Sequence, residues 1–129
     1  HMTDVTDEVV PAGVQGHVSW ITVGDFNSDL LPDVYLMRPW FNDWLLVNGG
    51  YAEGMAWLPE NELPAGSFAR NTHRELPEDH YVPRASDMAD IDGDGDDDLI
   101  KCGWREPVRI YVNDNASMRD ETALRFLRA

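Results

Sequence analysis

The feature that most constrains this chain is a segment that occurs twice, 65 residues apart. Gly24-Asp25-Phe26-Asn27-Ser28-Asp29-Leu30-Leu31-Pro32-Asp33-Val34 aligns without a gap with Ala89-Asp90-Ile91-Asp92-Gly93-Asp94-Gly95-Asp96-Asp97-Asp98-Leu99. Asp25, Asn27, Asp29 and Asp33 fall on Asp90, Asp92, Asp94 and Asp98. At the same offset Leu45-Leu46-Val47-Asn48 falls on Ile110-Tyr111-Val112-Asn113. Two matched segments at one spacing mark an internal repeat, and a repeat of this size is one supersecondary unit used twice.

Each unit reads as strands. Val18–Val23 is β-branched and aromatic and enters the first acidic loop; Val34–Met37 leaves it. Trp44–Val47 makes a third strand, closed by the turn signal Asn48-Gly49-Gly50, and Met55–Leu58 a fourth. In the second unit Arg84–Ala89 enters the loop, Leu99–Cys102 leaves it and Val108–Val112 follows. The prolines lie at the edges of these runs, where a missing N–H does least harm. Residues 61–83 read as a long irregular connection. Thr122, Leu124 and Phe126 alternate, so the segment Glu121–Arg128 is expected to be a strand. Thr3-Asp4-Val5-Thr6 resembles Arg119-Asp120-Glu121-Thr122, so the chain is expected to begin, as it ends, with a closing strand. The fold class is therefore all-β, with two four-stranded antiparallel units of the propeller-blade kind, one over residues 3–60 and one over 84–129.

The repeated loops have the chemistry of a cation site. Calcium takes six to eight oxygen ligands. Asp90, Asp92 and Asp94 stand at positions 1, 3 and 5 of a tight turn, Gly95 permits the bend, Asp96 offers a backbone carbonyl and Asp98 closes the shell. Carboxylates packed this closely repel unless a cation lies among them. Magnesium, which keeps several waters in a strict octahedron, fits less well. The loop is not an EF-hand, since position 12 is Lys101 and a strand follows. Asp25, Asn27, Asp29, Leu31 (through its carbonyl) and Asp33 repeat the ligand spacing, but Leu30 replaces glycine at the bend and one carboxylate is missing.

These residues resemble the FG-GAP/VCBS repeats of integrin-α-like β-propellers, whose motif is an apolar strand, D-x-[DN]-x-[DN]-G-x-x-D and a second apolar strand. Ile21–Asp29 and Met88–Gly95 carry the likeness, which extends over residues 3–58 and 84–128. It implies calcium and a blade, and leaves the role open among adhesion receptors, lectins and modules attached to enzymes. Such repeats normally close rings of six to eight blades, and two alone leave open edges and faces. The chain is close to twice the period, so copies could follow one another head to tail. Self-assembly is expected, with a trimer of six blades as the leading arrangement; a fragment of a longer propeller is the alternative.

Charge narrows the partners. Asp and Glu number 24 against 10 Lys and Arg, a net charge of −14, which argues against nucleic acid, whose phosphates need a basic face. No apolar stretch approaches a membrane span. With 43% hydrophobic residues and five Trp the chain is globular rather than an acidic tail. His1-Met2 reads as a tag remnant, and an extracellular or periplasmic location is expected, with a signal removed. Cys102 is the single cysteine, read as a small buried thiol. Trp20 is expected in the core. Trp40, Trp44 and Trp104 are candidate sugar-stacking residues, or fillers between blades. Arg38, Arg70, Arg74, Arg84 and Arg105 are expected to pair with carboxylates. His17 marks a strand start. His73 and His80 fit no zinc or general-base spacing, and no nucleophile elbow or phosphate loop is present. The reading is a non-enzymatic calcium-binding module that presents a face to a protein or glycan.

Overall fold

A computed structural model describes residues 2–9, 17–39, 42–50, 63–70, 83–114 and 117–125. Within them the protein is all-β apart from two helical turns. Eight strands form two four-stranded antiparallel sheets, each a meander. The first holds β1 (Trp20–Gly24), β2 (Asp33–Met37), β3 (Trp44–Asn48) and β4 (Phe68–Arg70). The second holds β5 (Pro83–Ala89), β6 (Asp98–Gly103), β7 (Glu106–Asn113) and β8 (Met118–Asp120).

The repeat is kept in register as well as in sequence. Trp20 faces Met37 and Ala85 faces Cys102; Val34 faces Leu46 and Leu99 faces Tyr111. All cross-strand pairs of β1 with β2 and of β2 with β3 recur 65 residues later. A one-residue slip would exchange the faces of a strand, so this agreement fixes corresponding side chains on corresponding faces. The spacing breaks only at the fourth strand. Phe68 pairs with Asn48 and Met118 with Asn113, an offset of 50.

That break corrects two expectations. The fourth strand of the first sheet lies inside the stretch 61–83 that read as irregular. It is three residues long, too short to show periodicity. Its position is set by Pro64–Ser67, a turn closed by the Ser67 amide on the Pro64 carbonyl and by Gly66 at φ 90°. The strand expected at Met55–Leu58 lies outside the described residues. The ends need a second correction. Thr122–Arg125 is a helical turn (α2), not a strand, and Thr6–Val9 is another (α1). The likeness between the two ends is nevertheless structural. Asp4 accepts hydrogen bonds from the amide and hydroxyl of Thr6, and Asp120 does the same for Thr122. An Asp-x-Thr turn caps each short helix. At the C-terminal copy alone a strand, β8, leads into it.

The main core lies between the sheets. Tyr35, Met37, Leu45 and Val47 of the first sheet, with Phe26 from its loop, pack on Leu99, Tyr111 and Met118 of the second. Strands β1 and β5 lie side by side. The Trp20 indole and the Thr22 hydroxyl both donate to the Ser86 carbonyl, and Gly24 admits the Met88 side chain where a Cβ would clash. Trp20 is thus a bridging residue, 44% exposed, and not core as expected. The interface also buries charge. Lys101 is 1% exposed and its Nζ lies 3.0 Å from Asp43 Oδ2, which also accepts from the Tyr35 hydroxyl. Cys102 is half-buried. On the far face of the first sheet Leu36, Trp44 and Leu46 form a second cluster with Val34 and Phe68.

Candidate metal centre

The two acidic loops join β1 to β2 and β5 to β6, at the same end of the paired sheets. Each is organised by its first and last aspartates. Asp90 Oδ1 accepts from the amides of Gly93 and Asp94, and Oδ2 from Gly95 at 2.9 Å. Asp25 accepts likewise from Asp29 and Leu30. Each first aspartate thereby folds its loop around its own carboxylate.

The ninth-position aspartates have a role that ligand spacing does not reveal. Asp98 is fully buried; one oxygen takes the Ile91 amide at 2.7 Å and the other the Asn113 amide at 2.8 Å. Asp33 is also buried and takes the amides of Phe26 and Asn48 at the same distances. The closing aspartate clasps the loop to the end of the third strand of its unit. The matched pair Asn48/Asn113 was the signal for this. Asn113 reaches further, donating to the Asp97 carbonyl and to the Phe26 carbonyl of the other loop. Ser28 Oγ donates to Asp96 Oδ1 at 2.7 Å. The loops therefore touch, which the linear repeat could not indicate.

The bend needs left-handed backbone in both loops. Gly93 and Gly95 supply it at φ 77° and 99°. In the first loop Ser28 and Leu30 adopt φ 59° and 69°. Leu30 was foreseen as strained; Ser28 was not. The fold overrides both local preferences.

Of the expected ligands, the structure gathers Asp90, Asp92 and Asp98, each offering a carboxylate oxygen within 4.8 Å of the others. This cluster could hold a metal ion, and it is the only such group of three among the described residues. Asp94 is turned to the loop, accepting from the Asp96 amide, and the Asp96 side chain faces Ser28. Asp25, Asp29 and Asp33 are not drawn together to the same limit. Asn27 Oδ1, however, is buried in the first loop without a hydrogen-bond partner.

Electrostatics agree with a crowded anionic site. Burial pushes the Asp33 carboxyl up to about 6, against the amides of Asn48 and Phe26, with help from the charges of Asp29 and Asp25. Asp92 is also raised, by desolvation first. The Asp94 amide opposes this, and the Asp98 and Asp94 carboxylates add to it. The Arg125 guanidinium lies 3.8 Å from Asp92. The donors present are hard oxygens, which suits a hard cation and excludes a thiolate or imidazole site at this point.

The candidate sugar platforms differ in access. Trp44 is buried and its ring is covered by Arg38 at 3.8 Å. Trp104 is 55% exposed at the β6–β7 turn, with Arg84 and Arg105 over its ring. Trp40, Arg74, His73 and His80 lie outside the described residues.

A scan against protein-family models and searches of curated proteins and solved structures find no match to this chain.

Proposed function

We propose that the protein is a calcium-binding β-repeat module, of the FG-GAP/VCBS propeller kind, with a structural or ligand-presenting role rather than a catalytic one. The observation that carries this reading is the convergence of Asp90, Asp92 and Asp98 on one centre, in a loop whose hydrogen bonds are duplicated in the first unit. A cation in the second loop would favour the charged form of Asp92, which desolvation first and then the Asp98 and Asp94 carboxylates oppose, and one in the first loop would satisfy the orphaned Asn27 oxygen. Calcium suits a flexible all-oxygen loop better than magnesium. The expected site is Asp90, Asp92, Asp94 and Asp98 with the Asp96 carbonyl. The second site is Asp25, Asn27, Asp29 and Asp33 with the Leu31 carbonyl. Such a site fits an extracellular or periplasmic setting, where calcium is abundant.

Melting curves in chelator, calcium and magnesium test the reading. A site with Kd of about 10⁻⁴ M adds about 1.4 kcal/mol at millimolar calcium. A rise in melting temperature with calcium, larger than with magnesium, is expected; identical curves in all three would refute it. A lectin role is the second reading, favoured by the exposure of the Trp104 ring at the β6–β7 turn. Glycan binding lost on Trp104→Ala would support it.

A further inference from the structure

The two sheets pack through unlike faces. The first sheet contributes the side of Tyr35, Met37, Leu45 and Val47; the second contributes the side of Met88, Leu99, Lys101 and Tyr111. Because the register recurs with a constant offset, each used face has a counterpart on the outer side of the other sheet. The counterparts of Tyr35, Leu45 and Val47 are Ile100, Ile110 and Val112, on the outer side of the second sheet. The counterparts of Met88, Leu99 and Tyr111 are Val23, Val34 and Leu46, on the outer side of the first.

These outer sides match each other, and not only in being apolar. The internal interface carries the buried Lys101–Asp43–Tyr35 cluster. The corresponding residues are Leu36, Val108 and Ile100. All three polar partners are exchanged for apolar ones together, on two different surfaces of the molecule. Leu36 packs in the cluster with Trp44 and Leu46, Ile100 is half-buried and Val108 is exposed, so the two outer sides carry apolar surface where the internal interface carries the ion pair. Parts of both remain open: Ile21 is 59% and Val23 60% exposed on one, Val108 41% on the other. The middle of each, at Leu36, Leu46, Ile110 and Val112, is already buried, so the open contact runs along β1 on one and past Ile100 of β6 to Val108 at the start of β7 on the other.

We propose that a second copy of this chain docks its β1 face, at Ile21 and Val23, against the outer side of the second sheet, at Ile100 and Val108, repeating the internal packing of the two sheets. The contact is heterologous, so it propagates head to tail and closes into a ring when the rotation permits. Three copies, with six sheets, is the ring size that the resemblance to FG-GAP/VCBS repeats implies. One polar contact is carried over: Asn113 donates to the Phe26 carbonyl within the chain, and Asn48 would donate to the Ile91 carbonyl of the neighbouring copy. The bonds from Trp20 and Thr22 to Ser86 are not, because Ala85 and Asp87 stand in their places. The contact between copies is therefore weaker than the internal one.

The test is mass in solution by sedimentation, in calcium and in chelator. It does not depend on the calcium reading, because an assembly that persists in chelator supports it equally. The wild-type chain is expected to sediment as a discrete multiple of the chain mass. Val23→Arg and Val108→Asp each alter one exposed position on one face and are each expected to give monomers with unchanged far-UV circular dichroism. Mixed in equal amounts they should form a one-to-one dimer and nothing larger, because each supplies the face the other has lost. Ile21→Lys replaces Val23→Arg if that variant does not fold. A wild-type monomer at all concentrations, single variants that assemble as the wild type does, or a mixture that stays monomeric would each overturn the proposal.

Discussion

Replacing Leu30 by glycine is expected to stabilise the protein. The side chain is 91% exposed, so its removal forfeits almost no buried apolar surface. Its φ of 69° lies in the left-handed region, which costs an L-residue about 1–2 kcal/mol. Glycine removes that strain but adds about 0.5–1 kcal/mol of unfolded-state entropy. The net gain is about 0.5–1 kcal/mol, or about 2–5 °C in melting temperature for a chain of this size. The reciprocal change, Gly95→Ala, is the control. A Cβ there meets nothing within 4 Å, so only the φ of 99° opposes it. It should destabilise by about 1 kcal/mol. Urea unfolding in chelator measures both without a contribution from metal. If Leu30→Gly destabilises, or Gly95→Ala is neutral, the two loops do not share the backbone path described and the argument from duplicated geometry fails.

Other expectations follow from the buried charges. Lys101→Leu leaves the Asp43 carboxylate buried without its cation and should cost about 3 kcal/mol. Adding Asp43→Val should recover most of that loss, and a purely additive double variant in urea unfolding would show that the pair is not coupled. Asp33 should make metal-free stability pH-dependent. Its folded carboxyl titrates at about 6 against an ordinary 3.8, so the folded state binds the extra proton between those values. Stability from this group is greatest below 3.8 and falls as pH rises through 6, by about 3 kcal/mol in all. Urea unfolding from pH 5 to 7.5 in chelator should show this fall, and Asp33→Asn should flatten it; equal slopes in the two proteins would refute it.

Much of the architecture was legible because it was written twice. The 65-residue echo located both loops, six of the eight strands and the register that relates them. The fourth strand of the first sheet escaped, because Phe68–Arg70 is too short for periodicity and sits beyond a connection the second unit lacks. The terminal helical turns were misread as strands. Alternation at Thr122 and Leu124 looked like a buried face, yet Leu124 is 62% exposed and the local Asp120–Thr122 cap decides the conformation. At the site, spacing identified Asp90, Asp92 and Asp98 but not the division of labour among them. That Asp98 and Asp33 tie loops to strands depends on amides 15 residues away, and that Lys101 is buried depends on a partner, Asp43, just before β3 of the other unit. Such pairings are tertiary, and no local pattern carries them.

Calcium titration calorimetry of chelator-stripped protein tests the central claim most directly, with Asp92→Asn beside the wild type. Asp92 is outside the clasp to β7, so its substitution leaves the fold in place. The wild type should bind calcium at the second loop with at least one site per chain, and the variant should lose that site while keeping its circular dichroism spectrum. A wild-type chain that takes up no calcium at millimolar concentration, or a variant that binds as the wild type does, would contradict the account.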